Sequence, residues 1–103
     1  MHEKSRKKAK AATILTFGVE PMDIPEGWTV VEERLMREFE FDNFSSAKRF
    51  VDVISVLAEE ANHHPEIHFG WGYAVVELFT HDEGRITQKD IDLARSINAS
   101  MEA

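Results

Sequence analysis

The hydrophobic positions along the chain change their spacing several times, and each change marks a predicted element. Four stretches are rich in aromatic and β-branched residues or alternate between apolar and polar positions, as strands do. They lie at residues 28–31, 35–41, 67–69 and 73–80. The first two are separated by the polar pair Glu32-Glu33 and are predicted to form an antiparallel hairpin. The last is apolar on both faces, which is typical of an interior strand or of one whose second face meets a partner.

Two longer stretches carry apolar residues three and four positions apart, the spacing of an amphipathic helix. The first is predicted to run from about Phe44 to Asn62, after Asn43, whose side chain can accept a first-turn N–H. The second follows Thr87, and the spacing from Thr87 to Asp90 predicts a capping box. Strands paired by short turns and interrupted by helices predict an α+β domain with the helices on one face of the sheet.

The first 26 residues differ from the rest of the chain. Residues 1–10 contain five basic side chains and one acid, and two prolines followed by Gly27 mark an irregular connection. We therefore predict a basic arm and connection over residues 1–26 and a single domain over residues 27–103. A solvated arm is the favoured interpretation of the basic stretch, and an arm for targeting or polyanion binding is the alternative.

Composition limits the classes of function. The net charge of −7 argues against nucleic acid as the main partner, because phosphate binding needs a basic surface. The absence of cysteine excludes disulfides and thiolate chemistry and is compatible with a reducing compartment, so we expect a cytoplasmic protein. No apolar run reaches 18 residues, and we therefore expect no membrane span.

Histidines concentrate at the end of the first predicted helix, where His63 and His64 are adjacent. Two histidines around one ligand can act as acid and base near neutral pH without a metal. Glu59 and His63 are four residues apart, so on a continuous helix their side chains can touch. Two other interpretations stay open on spacing alone. One is a zinc site, which the spacing to His81 supports poorly, and the other is a pair of histidines that only cap the helix.

Several residues before and after the histidine pair stand at defined intervals along the chain. The elements are Glu59, His63-His64-Pro65, Trp71, His81 and Asp90, separated by three, five, nine and eight residues. This series resembles the signature of the pterin-4a-carbinolamine dehydratases. The flanking Gly27-Trp28, Phe39-Glu40-Phe41 and Thr80-His81 are also similar to that family, and the similarity covers about residues 27–98. Phe79 departs from the pattern, because a small polar residue is usual at that position.

The resemblance implies both a fold and an activity. The fold is a four-stranded antiparallel sheet with two or three helices packed on one face, assembled as a homodimer or homotetramer. The activity is dehydration of 4a-hydroxytetrahydropterin to quinonoid dihydropterin and water, a step in tetrahydropterin cofactor recycling. Water leaves C4a while N5 loses its proton, so an acid and a base are needed, and the resemblance implies neither a metal nor a cofactor. A non-catalytic binding or dimerisation module on the same scaffold, serving transcription or protein assembly, is the alternative.

The same resemblance implies a role for each residue of the series. His63 and His81 would form the acid/base pair, and Glu59 would orient His63. The substrate-binding residues implied in this way are His64, Pro65, Trp71 and Asp90. Asp90 is also expected to support the loop that carries His81. The expected partner is therefore a small pterin, with no direct contact with nucleic acid or membrane.

Overall fold

The computed structural model describes residues 23–102, so most of the predicted arm and connection lies outside the described residues. The elements in chain order are β1 (Thr29–Val31), β2 (Arg34–Glu40), α1 (Phe44–Ala61), β3 (Glu66–Gly70), β4 (Tyr73–Leu78) and α2 (Gln88–Met101). All four predicted strands and both predicted helices are present. β4 ends two residues earlier than predicted, because Thr80 turns back to form an isolated bridge with Arg85. The third helix that the resemblance allows concerns residues outside this range.

The strands form one antiparallel sheet in the order β1-β2-β4-β3. Glu32 and Glu33 join β1 to β2 with positive φ angles of 50° and 66°, as in the type I′ turns that suit two-residue hairpins. α1 connects β2 to β3, and β4 then inserts between them. Leu35 pairs with Leu78 across β2 and β4, and both are buried beneath the helices. The α+β class, with a four-stranded antiparallel sheet and helices on one face, is thereby confirmed.

The core forms between the covered face of the sheet and the two helices. The helices contribute Ala47, Phe50, Ile54 and Ala58 from α1, and Ile91, Leu93, Ala94 and Ile97 from α2. The ring of Phe50 lies 4.4 Å from that of Phe39 on β2. Burial of each large side chain contributes roughly 1.5–3 kcal/mol, so this layer dominates the stability of the domain. Neither α1 nor α2, the helices of residues 23–102, has the length and apolarity needed to cross a membrane.

Asn98 ties the C-terminal end of α2 to the start of β1. Its Oδ1 accepts from Trp28 Nε1 at 2.9 Å and from Arg37 Nη1 at 2.7 Å, and its Nδ2 donates to Glu26 O at 3.0 Å. Arg37 covers Gly27, which has a φ of +89° and where an added Cβ would lie 2.6 Å from Arg37 Cζ. Desolvation lowers the pKa of Arg37, and the charge of Glu26 opposes this. These contacts fix the position of α2 against the sheet, and the N-terminal end of α2 lies at the candidate site.

Candidate active site

The end of α1 directs His63 away from the helix. Asn62 is the C-cap, with a left-handed φ of 53°, and the N–H of His63 donates to Ala58 O at 3.1 Å. Pro65 follows two residues later and cannot continue a helix. The side chain of His63 is only 12% exposed, and its Nε2 lies 2.6 Å from Oδ1 of Asp90. The chain reversal after α1 therefore places His63 against the start of α2.

Asp90 is fully buried, and its carboxylate has three hydrogen-bond partners. Oδ1 faces His63, while Oδ2 accepts from Thr80 Oγ1 at 2.7 Å and from the N–H of Thr87 at 2.9 Å. The last bond completes the capping box that the spacing of Thr87 and Asp90 predicted. A buried carboxylate is tolerated only when it is paired in this way, and the N-terminus of α2 adds a favourable dipole. Asp90 thus caps α2 and holds His63 at the same time.

The contact with Asp90 decides which nitrogen of His63 can exchange a proton with a ligand. An ionised carboxylate is acceptor-only, so Nε2 of His63 must carry the hydrogen that it shares with Asp90. Nδ1 is then the nitrogen left to accept or release a proton. This arrangement, in which a carboxylate fixes one ring nitrogen of a histidine, is the usual way of setting its tautomer.

His81 lies on the turn that follows β4. Thr80 O accepts from the N–H groups of Glu83 and Gly84 at 3.1 and 2.9 Å, which closes the turn. The exposed ring of His81 meets the ring of Phe79 edge-on, with centroids 5.1 Å apart and an interplanar angle of 85°. Arg34 Cζ lies 4.9 Å from the centroid of the Phe79 ring. An aromatic contact therefore orients His81, where a carboxylate orients His63.

Glu59 pairs with His64, which corrects the expected contact between Glu59 and His63. Glu59 Oε2 lies 2.7 Å from His64 Nε2, and the two side chains are 76% and 56% exposed. The spacing of four residues brings side chains together only along a continuous helix. α1 ends at Ala61 and Asn62 is left-handed, so His63 has already left the helix. An ion pair this exposed contributes little to stability.

A cleft of about 340 Å³ brings the three histidines of the series together. Its lining residues are Asn62, His63, His64, Phe79, Thr80, His81, Asp82 and Lys89. Pockets of this size are within the range that small ligands occupy. Lys89, from the first turn of α2, and His63 also line a smaller cavity of about 160 Å³. The cleft is therefore large enough for a small heterocycle, and its lining contains two histidines with different surroundings.

Trp71 does not line this cleft in the single chain, and its predicted part in substrate binding stays a prediction. It lies in the turn between β3 and β4 and is 72% exposed. β4 runs from this turn toward His81, and its six residues span about 20 Å at roughly 3.3 Å per residue. Trp71 and His81 therefore lie at opposite ends of β4. Pro65 is half-buried beside the cleft and is not among its lining residues.

Several lining residues were not singled out by the sequence. In the sequence, Thr80 belongs to a flanking motif, and Asn62 and Lys89 carry no signal beyond their places in the two helical stretches. The alternation of β4 carries a usable signal, because Thr80 falls on the same side as Leu78 and therefore points toward α2. Among residues 23–102, no group of three or more histidine, cysteine or acidic side chains is placed to hold a metal ion.

Comparisons with known proteins find similar sequences and similar structures. The sequence model of the pterin 4 alpha carbinolamine dehydratase family matches residues 8–100. A protein of Haloarcula marismortui, provisionally named pterin-4-alpha-carbinolamine dehydratase, is 47% identical over 75 residues, which cover 73% of this chain and 82% of that one. A crystal structure from Brucella melitensis, described as a transcriptional coactivator/pterin dehydratase, superimposes with a TM-score of 0.69 at 32% identity and covers 96% of this chain and 95% of that one.

A second solved structure shares the fold alone. It is described as a pterin dehydratase-like protein that is a RuBisCO assembly factor in the alpha-carboxysome. Its TM-score is 0.57 at 23% identity, and the match covers 70% of this chain and 83% of that one.

Proposed function

This chain belongs to the pterin 4 alpha carbinolamine dehydratase family, and from that premise we propose that it dehydrates a 4a-hydroxytetrahydropterin to quinonoid dihydropterin and water. The observation that carries the proposal is the cleft whose lining contains both His63 and His81, with His63 bonded to buried Asp90. An elimination of water needs one group that gives a proton and one that takes a proton, and two histidines supply both near neutral pH.

The bonds that change can be assigned to the two histidines by their surroundings. Nδ1 of His63 takes the proton of pterin N5, because the carboxylate of Asp90 stabilises the imidazolium that forms. The N5–H electron pair becomes the N5–C4a double bond, and the C4a–O bond breaks. His81 gives the departing hydroxyl its proton, so that it leaves as water. His81 is exposed and can regain a proton from solvent, while His63 releases its proton in the same way after the product departs.

The assay that tests this proposal measures dehydration of 4a-hydroxytetrahydropterin spectroscopically. We expect His63→Ala and His81→Ala each to lower turnover by about 10²–10⁴-fold, the usual contribution of an acid or base group. His68→Ala is the matched control, because His68 is exposed on β3 and does not line the cleft. Wild-type turnover in both cleft variants, with circular dichroism showing the same fold, would contradict the proposal.

A second candidate function is a binding or assembly module on the same scaffold. It is favoured by the Brucella melitensis structure, whose description combines a transcriptional coactivator with a pterin dehydratase. Val53 and Val56 are exposed on α1 away from its buried stripe, where a partner or a second copy could cover them. A stoichiometric partner in a pull-down, together with negligible dehydration by the wild type, would favour the module. A solution mass equal to two or four chains would support the homodimer or homotetramer.

A further inference from the structure

Thr80 stands at the centre of a hydrogen-bond chain that has one direction. Its hydroxyl donates to Asp90 Oδ2 at 2.7 Å, so its single hydrogen is used there. The 2.7 Å contact between Thr80 Oγ1 and Thr87 Oγ1 must then be donated by Thr87. Thr87 Oγ1 in turn accepts the N–H of Lys89 at 3.3 Å. Every donor in this chain points toward the carboxylate that holds His63.

The two donors on Oδ2 fix the plane of the Asp90 carboxylate. One is the hydroxyl of Thr80 and the other is the backbone N–H of Thr87. A carboxylate with only one of these donors can rotate about its Cβ–Cγ bond, and Oδ1 would then leave its position opposite His63. The Thr80 hydroxyl therefore decides where Oδ1 is aimed, although it does not contact His63 itself.

The backbone of Thr80 helps to form the part of the site that contains His81. Its carbonyl accepts from the N–H groups of Glu83 and Gly84, and its own N–H donates to Arg85 O at 3.2 Å. These bonds define the turn that presents His81, the residue that follows it. One buried residue, only 5% exposed, is thus bonded to the carboxylate behind one histidine and to the turn that bears the other.

We propose that Thr80 is a positioning residue for the acid/base pair, setting His63 through its hydroxyl and Asp90, and His81 through its backbone. The inference rests on the proposed function only for its catalytic consequence. The hydrogen-bond coupling between Thr80, Asp90 and His63 belongs to the protein without substrate. The two parts can therefore be tested separately.

The test compares Thr80→Val, which keeps the shape and loses the hydroxyl, with Thr80→Ser, which keeps the hydroxyl. We expect Thr80→Val to lower kcat about tenfold, equivalent to about 1.4 kcal/mol in the barrier, with KM within about twofold. Thr80→Ser should retain kcat within about threefold. Thr29→Val is the matched control, since Thr29 lies on the edge strand β1 and its hydroxyl donates to Met36 O at 3.4 Å. This variant should retain wild-type kcat.

The second readout is the NMR signal of the His63 Nε2 proton in the protein without ligand. A 2.6 Å bond to a buried carboxylate should give a downfield, slowly exchanging resonance, as short charge-assisted hydrogen bonds do. We expect this signal to move or broaden in Thr80→Val and to persist in Thr80→Ser. If Thr80→Val does not fold, Thr80→Cys, a weak donor of similar size, takes its place with the same expected loss.

The outcomes separate the two proposals. Wild-type kcat and an unchanged His63 signal in Thr80→Val would overturn the role of Thr80, as would equal losses in Thr80→Val and Thr80→Ser. A wild-type protein that does not dehydrate the pterin would overturn the proposed function. In that case a His63 signal lost in Thr80→Val and kept in Thr80→Ser would still support the positioning role.

Discussion

The lining of the cleft has two parts that hold their histidines by different means. The His63 wall is the end of α1 with the start of α2, and the His81 wall is the turn after β4. His63 is nearly buried and faces a carboxylate at 2.6 Å, and that carboxylate is itself fixed by two more donors. His81 is exposed on a turn, and its ring packs edge-on against the ring of Phe79, with centroids 5.1 Å apart. A buried ionic contact fixes both the tautomer of the imidazole and the orientation of its ring. An aromatic contact fixes the orientation of the ring and leaves the tautomer free. The site thus combines one preorganised histidine with one whose ring is open to solvent.

This difference has an energetic counterpart. Removing one partner of a buried, charged hydrogen bond leaves the other unsatisfied and costs about 1–3 kcal/mol or more. An aromatic pair contributes roughly 0.5–1.5 kcal/mol beyond the area it buries. Variants on the His63 wall should therefore affect both stability and turnover, and variants on the His81 wall should affect mainly turnover.

The largest effect is expected from Asp90→Asn. An amide has one acceptor and one NH₂ group, while donors face both oxygens of Asp90. If the NH₂ group replaces Oδ2, it meets the donors Thr80 and Thr87. If it replaces Oδ1, it meets the Nε2 hydrogen of His63, unless that hydrogen moves to Nδ1 and the nitrogen that accepts the substrate proton is lost. We expect turnover to fall by at least about 10²-fold and the free energy of unfolding by about 1–3 kcal/mol, measured by the dehydration assay and by urea denaturation.

Asp92→Asn is the control for Asp90→Asn, because Asp92 lies on the same helix and its carboxylate is largely exposed. It should change neither quantity appreciably. If Asp90→Asn retained half or more of wild-type turnover, the carboxylate would not be what prepares His63 for catalysis, and this difference between the two walls would disappear.

A smaller effect is expected from Phe79→Leu. The change removes the ring that orients His81 while keeping an apolar side chain at a half-buried position. Losing a contact of about 0.5–1.5 kcal/mol should lower kcat by about two- to tenfold, with little change in the unfolding midpoint. Steady-state kinetics and thermal unfolding measure the two quantities.

Tyr73→Leu provides the comparison for Phe79→Leu. Tyr73 lies on the same uncovered side of the sheet, near the other end of β4 from the cleft. Its replacement should leave kcat unchanged. A loss in Phe79→Leu as large as that in Asp90→Asn would mean that the aromatic wall is as decisive as the buried carboxylate.

The smallest effect is expected from Glu59→Gln. Glu59 contacts His64 at the exposed rim, where solvent screens the pair. We expect kcat within about twofold of wild type and a modest rise in KM that disappears at high salt. The neighbouring Glu60→Gln is the control and should match wild type at every salt concentration. A tenfold or greater loss of kcat in Glu59→Gln would return Glu59 to the role of orienting acid.

Much of the fold could be predicted because its signals are local. The strand and helix assignments follow from the spacing of apolar residues, and the capping box of Thr87 and Asp90 follows from a three-residue interval. The predicted contact between Glu59 and His63 was wrong because a single left-handed residue, Asn62, ends the helix one position too early for it. A sequence signature does not show at which end of a strand each member lies, so only the structure separates Trp71 from His81 along β4.

By itself, the sequence determined the elements, the family and the histidines that are available for chemistry, since these depend on residue identity and on intervals along the chain. Only the tertiary structure decided which acid each histidine meets. Asp90 reaches His63 across an interval of 27 residues, because α2 returns over the sheet and presents its first turn to the end of α1. That pairing depends on how two helices and a strand end come together in space, and no local pattern in the chain records it.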